Sequence, residues 1–329
     1  MKFPHRRRFL HLAAGAAALP AISRIAGAQS RPTRPITIIV PYAPGGAGDL
    51  AVRVLSEPLA ATLGQNVIIE NVSGGNALIG TGRVARASPD GYTLLVHNMA
   101  IAANVSLFPK SSFNVEKDLT AVGLVNYGVP ILVGRKSLAA NSLAELVACM
   151  KQPGRRIKFA HGGIGSMSHF CAVLFARAVG ADINLIPYRG GAPAITDLLA
   201  SHVDLYCTNL TGEQLKAGTL KGFGVTSVDR FAPYANLPSL VQSGFADMDI
   251  LFWQGIFARA AIPKPVLERL NAALRLALRE PKVIRNFEQT DFAAFSEQEQ
   301  TIAAANSFLH QEIVRWGQVV RTNHIEAEQ

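Results

Sequence analysis

The chain has 329 residues, of which 49% are hydrophobic, 17% charged and 7% aromatic, with a formal net charge of +9 at pH 7. Five of its basic residues, Lys2, Arg6, Arg7, Arg8 and Arg24, precede residue 28 in a stretch without acids, so the remainder carries only +4. With no dense basic stripe and few aromatic rings, a stacking surface for nucleic acid is excluded, and the length suits two domains that each bury a core.

The opening stretch, Met1-Lys-Phe-Pro-His-Arg-Arg-Arg-Phe-Leu-His11, is basic and runs into an Ala/Leu-rich segment ending at Ala26-Gly27-Ala28, a small-x-small cleavage pattern. Its apolar run of about 13 residues falls short of the roughly 20 that span a membrane, so 1–28 reads as an export signal and the rest as soluble. Arg6-Arg7-Arg8-Phe9-Leu10 fits a twin-arginine signal or an ordinary secretory signal with a strongly basic end.

Next comes Ile36-Thr-Ile-Ile-Val40, a β-branched run that breaks at Pro41 and enters a loop holding Gly45, Gly46 and Gly48. Asp49 is the expected N-cap of the following helix, which Gly64 closes. A strand, a glycine-rich loop and a helix start together favour an anion, because unpaired amides and partial positive charge converge there. Asn66–Glu70 reads as a strand, 77–87 as a helix, and Tyr92–His97 as a strand after the turn at Ser88-Pro-Asp-Gly91. Short apolar strands alternating with helices imply mostly parallel sheets, with ligands beyond the carboxyl ends of the strands, near Asn71, Ser73, His97 and Asn98.

A second strand, loop and helix follows at Arg156–Arg177, its loop being His161-Gly-Gly-Ile-Gly-Ser-Met-Ser168. Ser142-Leu-Ala-Glu145 has capping-box spacing and opens a helix before it. Leu185–Tyr188 and Val203–Asn209 read as strands whose ends carry Tyr188, Arg189, Thr208 and Asn209. Crossings between domains are expected near Pro130 and within Ile250–Phe257. Two amphipathic helices are expected to close the chain and pack on the first domain, one presenting Leu267, Leu270, Leu274 and Leu278, the other opening at Ser296-Glu-Gln-Glu299. Cys149, Cys171 and Cys207 lack paired spacing; one disulfide suits an oxidising compartment, but three small buried hydrophobes is the preferred reading.

The series Pro41-x-x-Pro44-Gly45-Gly46-x-x-Asp49, Glu70-Asn71 and Pro89-Asp-Gly-Tyr-Thr-Leu-Leu95 resembles the periplasmic solute receptors of tripartite tricarboxylate transporters, the Bug receptors. The resemblance continues through Gly163-x-Gly165-Ser166-x-x-His169, Pro187-Tyr-Arg-Gly190, Asp197-Leu198 and Val203-Asp204, and so covers nearly the whole chain after the signal. One departure is Gly74-Gly75-Asn76-Ala77, where the family usually has glycines with one alanine.

The resemblance implies a two-domain α/β periplasmic binding protein, type II-like, with the ligand in a cleft between domain one (29–129 and 253–329) and domain two (130–252). It implies a small carboxylate ligand, whether dicarboxylate, tricarboxylate, acidic amino acid or aromatic acid, delivered to membrane permease subunits, with a membrane sensor as an alternative partner. The expected ligand contacts on the first domain are Tyr42, Gly45, Gly46, Ala47, Gly48, Asp49, Ser73, His97 and Asn98. On the second they are Gly162, Gly163, Gly165, Ser166, Tyr188, Arg189, Thr208 and Asn209.

Two readings of the loops compete with a carboxylate cradle, namely tight structural turns and a dinucleotide fingerprint. Neither loop has Gly-x-Gly-x-x-Gly and no phosphate-loop lysine follows, so no cofactor is expected. Besides capping, Asp49 has a second candidate role in holding an amino-bearing ligand. Arg189 faces either ligand or solvent. Ser166, His169 and Asp204 could compose a hydrolytic triad, but Gly-x-Ser-x-Gly is missing, and no His/Cys spacing suits a metal, so neither an enzyme nor a metal protein is expected.

Overall fold

The computed structural model describes residues 32–229 and 231–327; the export-signal reading of 1–28 lies outside the described residues. The chain runs β1 (Ile36–Val40), α1 (Ala47–Leu63), β2 (Val67–Asn71), α2 (Leu78–Ala85), β3 (Thr93–Asn98), α3 (Ala100–Leu107), α4 (Val115–Asp118) and β4 (Leu119–Gly128). It then crosses at Val129-Pro130 into β5 (Ile131–Arg135), α5 (Leu143–Met150), β6 (Ile157–His161), α6 (Met167–Val179), β7 (Ile183–Pro187), α7 (Gly191–Leu199), β8 (Leu205–Thr208), α8 (Gly212–Lys216) and β9 (Leu220–Val225). It returns through β10 (Phe252–Arg259) and ends with α9 (Lys264–Leu278), α10 (Pro281–Gln289), β11 (Phe292–Ala294) and α11 (Ile302–Thr322).

Two sheets result, one in the order β11-β4-β10-β3-β1-β2 and the other β7-β6-β8-β5-β9. β1 is an interior strand, pairing in parallel with both β2 and β3, which explains why Ile36, Ile38, Ile39 and Val40 are all buried. Both sheets are mixed rather than mostly parallel. β10 comes back from the other lobe and runs antiparallel to β3 and β4, and β5 is antiparallel to β8 and β9. The strands that carry the chain between lobes therefore supply the antiparallel half of each sheet, while the strand–loop–helix units supply the parallel half.

The C-terminal region departs from the two-helix expectation. α10 and β11 intervene between the long helices, with Val283 and Phe287 of α10 buried and Phe292 paired with Gly128. Pro281 at the first helical turn was the available signal. The Ser296–Glu299 box does form, since the Ser296 N–H donates to Glu299 at 2.9 Å, but it shapes a turn. α11 is capped instead by Thr301, whose hydroxyl accepts from the Ala304 N–H. α11 packs on α3 and β4 and also reaches the other lobe, where Trp316 stacks on Phe170 of α6 with ring centroids 4.5 Å apart. The lobes are thus joined by packing beyond the two crossings.

The preferred reading of the cysteines is corrected as well. Cys171 on α6 and Cys207 on β8 form a disulfide with Cα atoms 6.2 Å apart, and only Cys149 stays a free, buried thiol.

Candidate functional site

At the β1–α1 turn, Gly45 takes a left-handed φ of 83° and Gly46 is the N-cap, without a side-chain bond. Asp49 is not the cap. It sits in the first turn of α1, is 2% exposed, and reaches back so that its carboxylate accepts the Gly45 N–H at 2.9 Å. The same carboxylate accepts from Arg53 Nε and Nη2 at 2.8 and 3.0 Å and from Asn71 Nδ2 at 3.1 Å. Burial alone would raise its pKa, but the Arg53 fork, the Gly45 amide and the Asn71 amide together outweigh that and hold it below the ordinary value. Four donors occupy its oxygens, so none remains for an ammonium group of a ligand.

The β6–α6 turn is also held from within. Ser166 caps α6, its hydroxyl accepting the His169 N–H at 3.3 Å. The Gly162 N–H donates to Ser168 Oγ at 2.9 Å, Gly163 to His161 Nδ1 at 3.3 Å, Gly165 to His169 Nδ1 at 3.4 Å, and Ser166 to the Gly163 carbonyl at 3.1 Å. A third helix start, α7, follows Arg189 and is capped by Gly190 at a φ of 106°, open only to glycine without strain.

These three helix N-termini open on one cavity of about 130 Å³ between the sheets. The loop glycines supply few donors to it, because their amides are engaged internally. The groups left over are the first-turn amides of Ala47 and Gly48, Met167 and Ser168, and Gly191 and Ala192, which no intrahelical carbonyl can reach. All six residues line the cavity.

Of the expected contacts, Tyr42, Gly46, Ala47, Gly48 and Asn98 form the first wall of that cavity, and Gly162, Ser166, Arg189, Thr208 and Asn209 lie on the second. Gly45 and Asp49 are occupied with each other, and Ser73 is exposed on a loop and does not line the cavity. His97 is 1% exposed and packs edge-on behind Tyr42, whose hydroxyl donates to Asn98. Gly163 and Gly165 face their histidines, and the Tyr188 hydroxyl donates to Asp197 at 2.6 Å, which with burial pushes the phenol up to about 12.

Asn209 lines the cavity, is 3% exposed, and its Nδ2 is buried without a hydrogen-bond partner among the described residues. Tyr206, not anticipated, also lines the cavity; burial pushes its hydroxyl up to about 12 despite bonds with Ser168 and Thr208, keeping it a protonated donor. Met167, Ser168, Gly191 and Ala192 were missed too. Their one signal was position, immediately after each turn, where helix amides are free.

The triad does not assemble. Ser166 Oγ is the cap of α6, His169 faces His161 at 4.9 Å, and Asp204 accepts from Arg135 Nε at 2.7 Å and the Lys158 N–H at 2.9 Å. Among the described residues no group of three His, Cys, Asp or Glu side chains could hold a metal ion.

Two site histidines carry a stability prediction. Burial lowers His97 to about 4, and burial with the neighbouring His161 lowers His169 to about 4, against 6.5 when unfolded. Both are therefore neutral in the fold, and below 6.5 the unfolded chain takes up protons that the fold refuses. Stability is full above pH 6.5 and falls between 6.5 and 4, by up to about 1.4 kcal/mol per pH unit for each histidine. Urea midpoints measured from pH 7.5 to 4.5 should fall accordingly, and a flat profile would contradict the neutral burial of both rings.

Residues 51–325 match the family model described as tripartite tricarboxylate transporter family receptor. The fold superposes on the structure of periplasmic binding protein BugD with a TM-score of 0.84 and 31% identity, covering 90% of this chain and 100% of that one. MatC from Rhodopseudomonas palustris, with bound malate, gives 0.83 and 30% over 88% of this chain and 99% of that one. A second Rhodopseudomonas palustris protein, Rpa4515 with adipate, gives 0.83 and 27% over 90% and 99%.

Proposed function

Because this chain belongs to the tripartite tricarboxylate transporter receptor family, a family of non-catalytic periplasmic binding proteins, we propose that it captures a small carboxylate between its lobes and delivers it to the permease subunits of such a transporter. The observation that carries this reading is the charge of the cavity. Three helix N-termini point into it, and among the described residues Arg189 is the only charged side chain lining it and no carboxylate does. A carboxylate bonded to first-turn amides of both lobes joins them, and this favours the closed arrangement of a hinged receptor. The relatives with malate and adipate bring dicarboxylates to the front of the ligand classes. Acidic amino acids rank lower, since Asp49 is filled by Arg53, Asn71 and Gly45 and no described residue lining the cavity offers an ammonium group an anionic partner.

The test is thermal unfolding against malate, adipate, citrate, benzoate and aspartate, with amines and sugars as controls. A true ligand at about a hundred times its dissociation constant adds roughly 2.7 kcal/mol. A shift with a dicarboxylate and none with aspartate at equal concentration is expected. The receptor reading would be abandoned if protein freed of copurified ligand responded to no carboxylate.

A further inference from the structure

Two rings accept amides of the loop between β6 and α6. His161 and His169 are 3% and 5% exposed, their centroids lie 4.9 Å apart, and neither lines the cavity. Each accepts a loop amide through Nδ1: Gly163 N–H on His161 and Gly165 N–H on His169. Those two glycines have φ of 117° and 76°, conformations that favour glycine, and their N–H groups are engaged by the rings.

We propose that His161 and His169 are paired positioning residues of the ligand site, each in the Nε2–H tautomer, whose unprotonated Nδ1 atoms hold the loop so that the amides of Met167 and Ser168 face the cavity. The inference rests on the carboxylate-receptor reading and adds the residues that set its second wall. An imidazole suits the task because it accepts an amide proton while neutral. An aspartate or glutamate in either place would accept the same bond but put a negative charge behind an anion site. Protonation of His169 is disfavoured as well, its ring being held at about 4, with burial the larger cause and His161 the second.

Two measurements test this. Long-range proton–nitrogen NMR on ligand-free protein labelled in histidine should show Nδ1 unprotonated and Nε2 protonated on both rings at pH 7.5, with assignment by His161→Asn and His169→Asn. Calorimetry with malate and adipate then compares His169→Asn, whose Oδ1 stands near the lost Nδ1 and can accept the Gly165 N–H, with His169→Leu, which keeps bulk without an acceptor.

The asparagine variant should bind within about threefold of wild type and the leucine variant about tenfold or more weaker, as expected for one buried amide left unpaired. An Nδ1–H tautomer on either ring overturns the proposal, as does a leucine variant that binds like wild type. So does a folded asparagine variant that binds as weakly as the leucine one, because size would then be the requirement. If the leucine variant does not fold, the tautomers and the asparagine variant decide alone. If wild type binds neither acid, the same comparison is made with the acid of the unfolding panel that does bind; failure to bind any of them is a separate result that removes the receptor reading, and this inference with it.

Discussion

Ala192→Asp should abolish ligand binding without destabilising the fold. Ala192 is exposed in the first turn of α7 and lines the cavity at the third helix N-terminus. A carboxylate there interacts favourably with the helix dipole by about 0.3–1 kcal/mol, so the melting temperature should hold or rise slightly. The same carboxylate occupies the field meant for the ligand and faces it with like charge, a juxtaposition that costs several kcal/mol, or at least about a hundredfold in affinity. Ala192→Asn is the control, similar in size but neutral, and should cost less than about tenfold. Calorimetry with the acid that stabilises wild type reads both. Equal affinity in the aspartate variant and wild type would mean that the ligand sits away from α7, and the anion site would shrink to the starts of α1 and α6.

That third helix start shows where reading the chain as a string of residues stopped short. Arg189-Gly190-Gly191 could be placed as a turn into a helix, yet its convergence with Gly46 and Ser166 depends on β7 lying at the far edge of its sheet and α7 folding back over β6 and β8. The strand–loop–helix units at Ile36 and Ile157 were visible because a short strand-like run, a cluster of glycines and a helical run after it are local facts. The antiparallel pairings of β10 and β5 were not, because direction is set by where the chain re-enters a sheet.

The misplacement of Asp49 is subtler. A carboxylate at the N-cap bonds forward to the helix amides, whereas one in the first turn bonds back to the loop. Both sit beside glycines in sequence, and here the Gly46 backbone starts α1 while Asp49 closes the loop behind it. The wider consequence is that the loop amides became structural and the helix amides became the free donors. Asp49, His161, His169 and Ser168 consume the amides of the glycine motifs, and such partners are fixed by rotamers in the folded state. A motif of glycines therefore marks the neighbourhood of the site, one to three residues ahead of the atoms that serve it.

The second large effect concerns the disulfide. Replacing both Cys171 and Cys207 with alanine should lower unfolding stability by about 2–4 kcal/mol, because the bond closes a loop of sequence separation 36 and restricts the unfolded chain. The bond also ties α6, whose first turn supplies Met167 and Ser168, to β8, whose end supplies Thr208 and Asn209, so it links two strips of the same cavity wall. Both sulfurs are buried, so the folded protein should resist mild reductant and the loss should appear only once the chain has been reduced under denaturing conditions. Thiol titration in denaturant without reductant should find one free thiol per chain, Cys149, among the three cysteines. Urea unfolding of oxidised, fully reduced and doubly substituted protein completes the comparison: the last two should share a lower midpoint, and reductant should leave the substituted protein unchanged. Three titratable thiols, or a midpoint indifferent to full reduction, would show that the two cysteines pack as a pair of small hydrophobes. Binding in the substituted protein should fall far less than stability, since Ser166, Ser168 and the two histidines hold the loop without the sulfurs.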